Sequence, residues 1–134
     1  MNVLSPETIE VVLQGDVLNK TYVVRLLGVD APANSPAEPW GAVAFQTLQT
    51  WLAGRVVRLV QDTTLINEAG ELPRYVYLQE SLINRRMVEA GLARPRFSQP
   101  DVRFQRDFQT AADEARQAGR GLWGPDPTAT PTQT

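Results

Sequence analysis

The feature that most restricts the fold of this 134-residue chain is the separation of its β-rich segments from its helical ones. The runs Thr8–Leu13, Thr21–Val29, Arg55–Val60 and Leu72–Leu78 are rich in β-branched and aromatic residues, and all lie before residue 79. Gly15-Asp16 and Asn19-Lys20 punctuate the loop between the first two runs, which therefore read as a hairpin. Pro73 places the start of the last run at an edge or a bulge. The strongest helical pattern comes only after residue 100, where Phe104, Phe108, Ala111, Ala112 and Ala115 form one apolar stripe ending at Gly119, with Asp101 as the expected cap. An earlier helix is expected from about Pro39 to Ala53, with proline in its first turn and Gly54 as its stop. A short helix, Leu82 to Ala90, is expected to be capped by Ser81 and ended by Gly91. Strands largely segregated from helices argue an α+β domain on a small antiparallel sheet or barrel.

The chain contains neither histidine nor cysteine. That excludes disulfides, thiolate or imidazole zinc sites, cysteine nucleophiles and Ser-His-Asp machinery. Chemistry is left to carboxylates, guanidinium groups, hydroxyls or a metal held by oxygen. The formal charge of −2 hides an asymmetry: residues 1–80 hold five basic and nine acidic side chains, residues 81–120 eight arginines and five acids. The arginines of this basic third read first as solvated helix faces and only second as a nucleic-acid surface.

No window approaches the roughly eighteen apolar residues of a membrane-spanning helix, so the expectation is an unanchored chain without membrane insertion, monomeric as an isolated domain. Residues 1–124 read as one domain and 125–134 as a Pro/Thr-rich linker or disordered tail. Tracts of this kind often tether surface domains, which points to an extracytoplasmic or cell-surface setting.

Val24-Arg25-Leu26-Leu27-Gly28-Val29-Asp30-Ala31-Pro32 resembles the hallmark strand of the thermonuclease family, the staphylococcal-nuclease-like domains. Trp40-Gly41 with Ala44-Phe45 resembles the start of that family's first helix, and Tyr75-Val76-Tyr77, Asn84 and Gly91-Leu92-Ala93-Arg94 resemble its next block. Ala115-Arg116 and Gly119-Arg120-Gly121-Leu122-Trp123 resemble its terminal helix and tryptophan anchor, so the likeness covers roughly residues 5 to 124 in order. It implies a five-stranded OB-type antiparallel β-barrel with three helices. It also implies a calcium-dependent phosphodiesterase of DNA and RNA, in which two carboxylates and a backbone carbonyl hold the metal, a glutamate serves the attacking water, and two arginines grip the phosphate.

Carried over by position, Arg25 matches the first arginine, and Asp30 with the backbone carbonyl of Ala31 matches part of the metal set. The second metal carboxylate falls on Glu7, in Ser5-Pro6-Glu7-Thr8, which is one methylene longer than the family's aspartate. The water-activating glutamate falls on Ala33, with Glu38 as the nearest acid, and the second arginine falls on Glu71. Arg74 does not replace it, because an offset of three along a strand points to the opposite face. Of the aromatic residues that pack on nucleotide in the family, Phe97 remains, with Gln99 near the second.

These positions imply a nuclease-like domain that has lost phosphodiesterase activity and serves as a binding or scaffold module, with protein or nucleic acid as its partner. One alternative is a calcium-dependent nuclease with a site rebuilt from Glu7, Arg25, Asp30 and Glu38. Another is a non-cleaving nucleic-acid binder that uses Arg94, Arg96 and Phe97. Outside catalysis, Arg25 reads as an ion-pair partner for Asp30 or Glu71, Asp30 as a loop-capping acid, and Tyr75 and Tyr77 as half-buried strand aromatics or a stacking platform.

Overall fold

The computed structural model describes residues 1–125 and residue 127; most of the predicted tail lies outside the described residues. The chain runs β1 (Asn2–Ser5), β2 (Thr8–Val12), β3 (Thr21–Leu26), β4 (Val29–Asp30), α1 (Pro39–Leu52), β5 (Arg58–Val60), β6 (Leu72–Leu78), β7 (Ser81–Leu82), α2 (Ile83–Glu89), β8 (Arg94–Pro95) and α3 (Gln105–Ala118), followed by a 3-10 turn at Gly121–Trp123. The main sheet has the order β1-β2-β3-β6-β5, with β7 on β6, and β4 pairs with β8 separately. This is the expected α+β architecture, a strand-built half and three helices. All pairings are antiparallel except β3 with β6, which run parallel through Val24–Leu72, Arg25–Pro73 and Leu26–Arg74.

The alternation read from the sequence sets which face each strand buries. Ile9 and Val11 of β2 and Val24 and Leu26 of β3 point into the core, where they meet Leu48 and Leu52 of α1, Met87 and Val88 of α2 and Phe108 of α3. The stripe of α3 buries Phe108, Ala111, Ala112 and Ala115 as expected, and Gly119 ends the helix in the left-handed conformation. Tyr75 is wholly buried, edge-on to Phe104 with ring centroids 4.7 Å apart, and its hydroxyl donates to Asp62 Oδ2 at 2.7 Å. Burial, followed by that hydrogen bond, pushes its phenol well above the ordinary tyrosine range. A stacking platform of Tyr75 and Tyr77 is therefore excluded; Tyr77 stays half-buried beneath the Arg58 guanidinium.

Three expectations about element ends are corrected. The third predicted strand starts at Arg58, not Arg55, because β6 offers partners only from Tyr75 to Tyr77. Ser81 lies in β7 and provides no cap; α2 begins without a side-chain cap. Asp101 does not cap α3, which starts after Phe104. Its carboxylate instead accepts the backbone N–H groups of Thr63 (2.8 Å) and Thr64 (2.7 Å) and the Thr64 hydroxyl, tying the β5–β6 connection to the segment before α3.

Burial alone would raise the Asp101 carboxyl pKa, but the hydrogen bonds from Thr64 and Thr63 outweigh it and hold the pKa below the ordinary value. A depressed pKa means stability that is present above the unfolded value and lost as pH falls through the folded one. Asp101→Asn is expected to lower stability near neutrality by about 1.5 kcal/mol. That deficit should shrink as the pH falls from neutrality into the acid range and through the folded-state pKa, where the parent carboxyl becomes protonated. Urea melts of both chains across this range check it, and a deficit independent of pH would refute the assignment.

Candidate functional site

The register of the first hairpin places the site. Thr8 lies opposite Arg25, and Glu7, one residue earlier in the β1–β2 turn, is held by its backbone carbonyl, which accepts the Leu26 N–H at 2.8 Å. From there the Glu7 side chain reaches both the strand and the loop beyond it. Its Oε1 receives Arg25 Nη2 at 2.8 Å and its Oε2 receives the Ala31 backbone N–H at 2.9 Å. Both oxygens of the carboxylate are thus committed, with the Glu7 side chain 19% and the Arg25 side chain 33% exposed. The expected partners of Arg25, Asp30 and Glu71, are replaced by Glu7. The reason is geometric: strand pairing sets Glu7 beside Arg25, while the other two acids sit on separate segments.

Asp30 is solvent-exposed at the end of β4, where its strand partner is Arg94 of β8. It lines a cleft of about 300 Å³ together with Pro32, Glu38, Pro39, Trp40 and Arg94. The loop between β4 and α1 closes on itself, since Glu38 Oε2 accepts the Ala33 N–H at 2.9 Å. Gly41 lets the first turn of α1 seat against that loop, because a Cβ there would overlap the Ala33 carbonyl. This is the physical content of the Trp40-Gly41 signal in the sequence.

Glu71 closes a different loop. Its Oε1 receives Asn67 Nδ2 at 2.9 Å, and its backbone N–H donates to Asn67 Oδ1 at 2.9 Å. Arg74 is buried on β6, and its guanidinium donates to the carbonyls of Pro73 (2.8 Å), Leu65 (3.0 Å) and Thr64 (3.4 Å). Burial lowers its pKa from the ordinary arginine value. As the strand-face argument required, it is unavailable to replace a cation at position 71.

The basic C-terminal third is largely turned to structural use. Arg85 pairs with Asp107 at 3.1 Å and with Glu89; Arg86 lies over Trp51 and Arg94 over Trp123; Arg103 Nη2 donates to the Gln61 carbonyl at 3.1 Å. Arg96 makes no side-chain hydrogen bond or ion pair with the described residues, and it lines a second cleft, about 250 Å³, with Arg25, Gly28, Ser98 and Asp101. Phe97 packs edge-on against Phe108 with centroids 5.2 Å apart, so it belongs to the rim of the core.

Asn84, quoted only for its place in the resemblance, proves central. It is fully buried; its Oδ1 accepts the Val76 N–H at 2.8 Å, and its Nδ2 donates to the carbonyls of Leu27 (2.8 Å) and Arg74 (3.1 Å). It joins β6 to the end of β3 beneath the Arg25 face. Ser98 and Asp101 of the second cleft carried no functional signal in the sequence, because they come to Arg25 only through the fold.

Comparison with known proteins identifies the family of the chain. The family described as staphylococcal nuclease homologue matches residues 23–125, a stretch that includes Arg25, Asp30, Ala31, Ala33 and Glu71 but not Glu7. The chain is similar to the thermonuclease of Staphylococcus hyicus, 28% identical over 121 residues that cover 84% of this chain and 72% of the relative. The thermonuclease of Staphylococcus intermedius is 31% identical over 104 residues, 75% of this chain and 62% of that protein. A protein named probable endonuclease LCL3 from Coccidioides posadasii is 29% identical over 124 residues, of which it is matched over 39% of its own length. With the family match running from within β3 through all three helices and taking in the Arg25–Asp30 stretch, the chain belongs to the staphylococcal nuclease homologue family.

Proposed function

We propose that this domain has lost phosphodiester cleavage and works as a binding or scaffold module. The observation that carries the reading is the Glu7 carboxylate, bound on one oxygen by Arg25 and on the other by the Ala31 N–H. Calcium takes about six to eight hard oxygen ligands at roughly 2.3–2.6 Å. The residues present do not fit such a cradle: Glu7 is engaged by two donors, and among the described residues no three carboxylates gather in one place. Ala33 carries no proton acceptor, and Glu38 is drawn onto the Ala33 backbone, which speaks against it as a rebuilt base. Glu71 supplies negative charge where the family resemblance calls for a guanidinium, and like charges about 4 Å apart at an effective dielectric near 20 repel by roughly 4 kcal/mol.

The test is a calorimetric titration with millimolar calcium alongside a cleavage assay on single-stranded DNA. No heat and no cleavage are expected. Calcium-dependent cleavage that Asp30→Ala abolishes would overturn the proposal.

A second reading, nucleic-acid binding without cleavage, is favoured by one observation: Arg25 borders the same cleft as Arg96, whose side chain has no hydrogen-bond or ion-pair partner among the described residues. Its acid, Asp101, is already satisfied by three donors. Binding of this kind weakens steeply with added salt. A gel shift with single-stranded DNA at low salt decides it, and the absence of a complex removes it.

A further inference from the structure

We propose that Arg74 is the receptor of an oxyanion, a carboxylate or phosphate group taken side-on by the Nε–Nη2 edge of its guanidinium. This goes beyond the site at Arg25 and holds whether or not cleavage has been lost. In the parallel register Arg25 stands beside Pro73 and Leu26 beside Arg74, so the two arginines lie on opposite faces of the sheet.

Arg74 is 8% exposed, on a strand where the following residues Tyr75 and Val76 are wholly buried. One end of its guanidinium is already committed. Nη1 donates to the carbonyls of Pro73, Leu65 and Thr64, which ties the β5–β6 connection down onto β6. Those contacts use a single nitrogen. Nε and Nη2 carry three further N–H groups, and none of them has an acceptor among the described residues. They are not sealed from solvent either, since among the described residues Trp123 Nε1 is the one fully buried side-chain nitrogen or oxygen without a partner. The small exposure left to Arg74 therefore includes the open edge of its fork.

The charge of that fork is also unanswered. Among the described residues no carboxylate lies within ion-pair distance of Arg74. The acids of the surrounding segments are spent elsewhere: Glu71 on the Asn67 side chain, Asp101 on Thr63 and Thr64, and Asp62 on the Tyr75 hydroxyl and the Arg103 N–H. Burial lowers the Arg74 pKa with no acid opposing it, as befits a cation held without a counter-ion. Charges this far from water are ordinarily paired. Clamping the loop does not by itself call for arginine, because a lysine offers three donors to the same three carbonyls. What arginine adds is a planar edge of parallel N–H groups that matches the two oxygens of a carboxylate or phosphate. With Nη1 anchored, that edge is already oriented, so little side-chain freedom remains to be lost on binding.

Titration of the isotope-labelled chain with sodium phosphate and, separately, sodium acetate at constant ionic strength tests the proposal on the arginine Nε–H resonances. The Arg74 resonance is expected to move and saturate, while that of Arg85, whose Nε already donates to Asp107, stays in place. Arg74→Lys, which keeps the charge and the donors for the loop, is expected to bind either anion at least about tenfold more weakly, the loss of one charge-assisted hydrogen bond. The thermal stabilisation that the anion gives the parent chain should vanish with it. A larger response to acetate assigns the site to a carboxylate of a partner protein, a larger response to phosphate to a phosphoryl group, and each supports the proposal. It is overturned if the Arg74 resonance stays fixed in both anions, if Arg74→Lys responds like the parent, or if all arginine resonances drift together without saturating, which is screening alone. Should Arg74→Lys fail to fold, the resonance of the parent chain decides.

Discussion

Glu7→Asp, Ala33→Glu and Glu71→Arg combined are expected to raise cleavage of single-stranded DNA in calcium-containing buffer by at least about 10²-fold over the parent chain. A positioned general base contributes about 10²–10⁴ in rate and a charge-stabilising donor about 10²–10³. The two act on one transition state and do not multiply fully, so the lower figure is the safe bound. Each change answers a contact in the structure. Glu7→Asp withdraws the carboxylate by one methylene from Arg25 Nη2 and the Ala31 N–H. Glu71→Arg reverses a charge and releases Asn67 Nδ2. Ala33→Glu adds an acceptor where the side chain is exposed and the backbone N–H is held by Glu38. A triple variant that melts like the parent yet stays inactive would show that more than these three side chains separates the site from a working one.

Replacing Asn84 by alanine should remove about 3–5 kcal/mol of stability, a large share of the roughly 5–15 kcal/mol that domains possess. The loss does not come from a missing contact alone. The Val76 N–H and the carbonyls of Leu27 and Arg74 would all be left without their partner in the interior, and each such group costs about 1–3 kcal/mol. Thermal melting should drop by at least about 10 °C for a chain of this size. Asn84→Asp, which keeps the acceptor for Val76 and loses the donor to the two carbonyls, should also fall well below the parent. A loss under about 1 kcal/mol for the alanine variant would mean that water replaces the amide and that the network is not what joins β6 to β3.

What could be read from the sequence was whatever repeats locally. The in-out alternation of β2 and β3 and the one-sided stripe of α3 are periodic within a few residues, and they lie where the pattern put them. The strands β4, β7 and β8 have two residues each, too short for any period to show, and β4 and β8 exist only because each pairs with the other from more than 60 positions away. The errors at the candidate site share that origin. The residues beside Asp101 suit a helix start and so suggest a cap, whereas its donors Thr63 and Thr64 lie more than 35 positions earlier. Linear spacing pairs Arg25 with the wrong acids, because nothing in it reveals that Glu7, 18 residues away, stands beside Arg25 across the hairpin. Position by position, the family resemblance located Arg25, Asp30, Ala33 and Glu71, but only the folded chain tells which of them touch.

The parallel pairing of β3 with β6 has a consequence for the order in which the molecule is made. Val24 meets Leu72, 48 positions downstream, whereas its other neighbour, Ile9, is supplied earlier in the chain. As the polypeptide leaves the ribosome, the β2–β3 hairpin can form while one side of β3 still offers open backbone donors and acceptors. That edge stays unpaired until β6 has been synthesised, through the whole time needed to make α1 and the connection after β5. Pairings of such high sequence separation close slowly and leave strand edges open to association with other chains. Aggregation during synthesis should accordingly be greatest for chains stalled between residues 30 and 70 and should subside once Leu72–Leu78 has emerged.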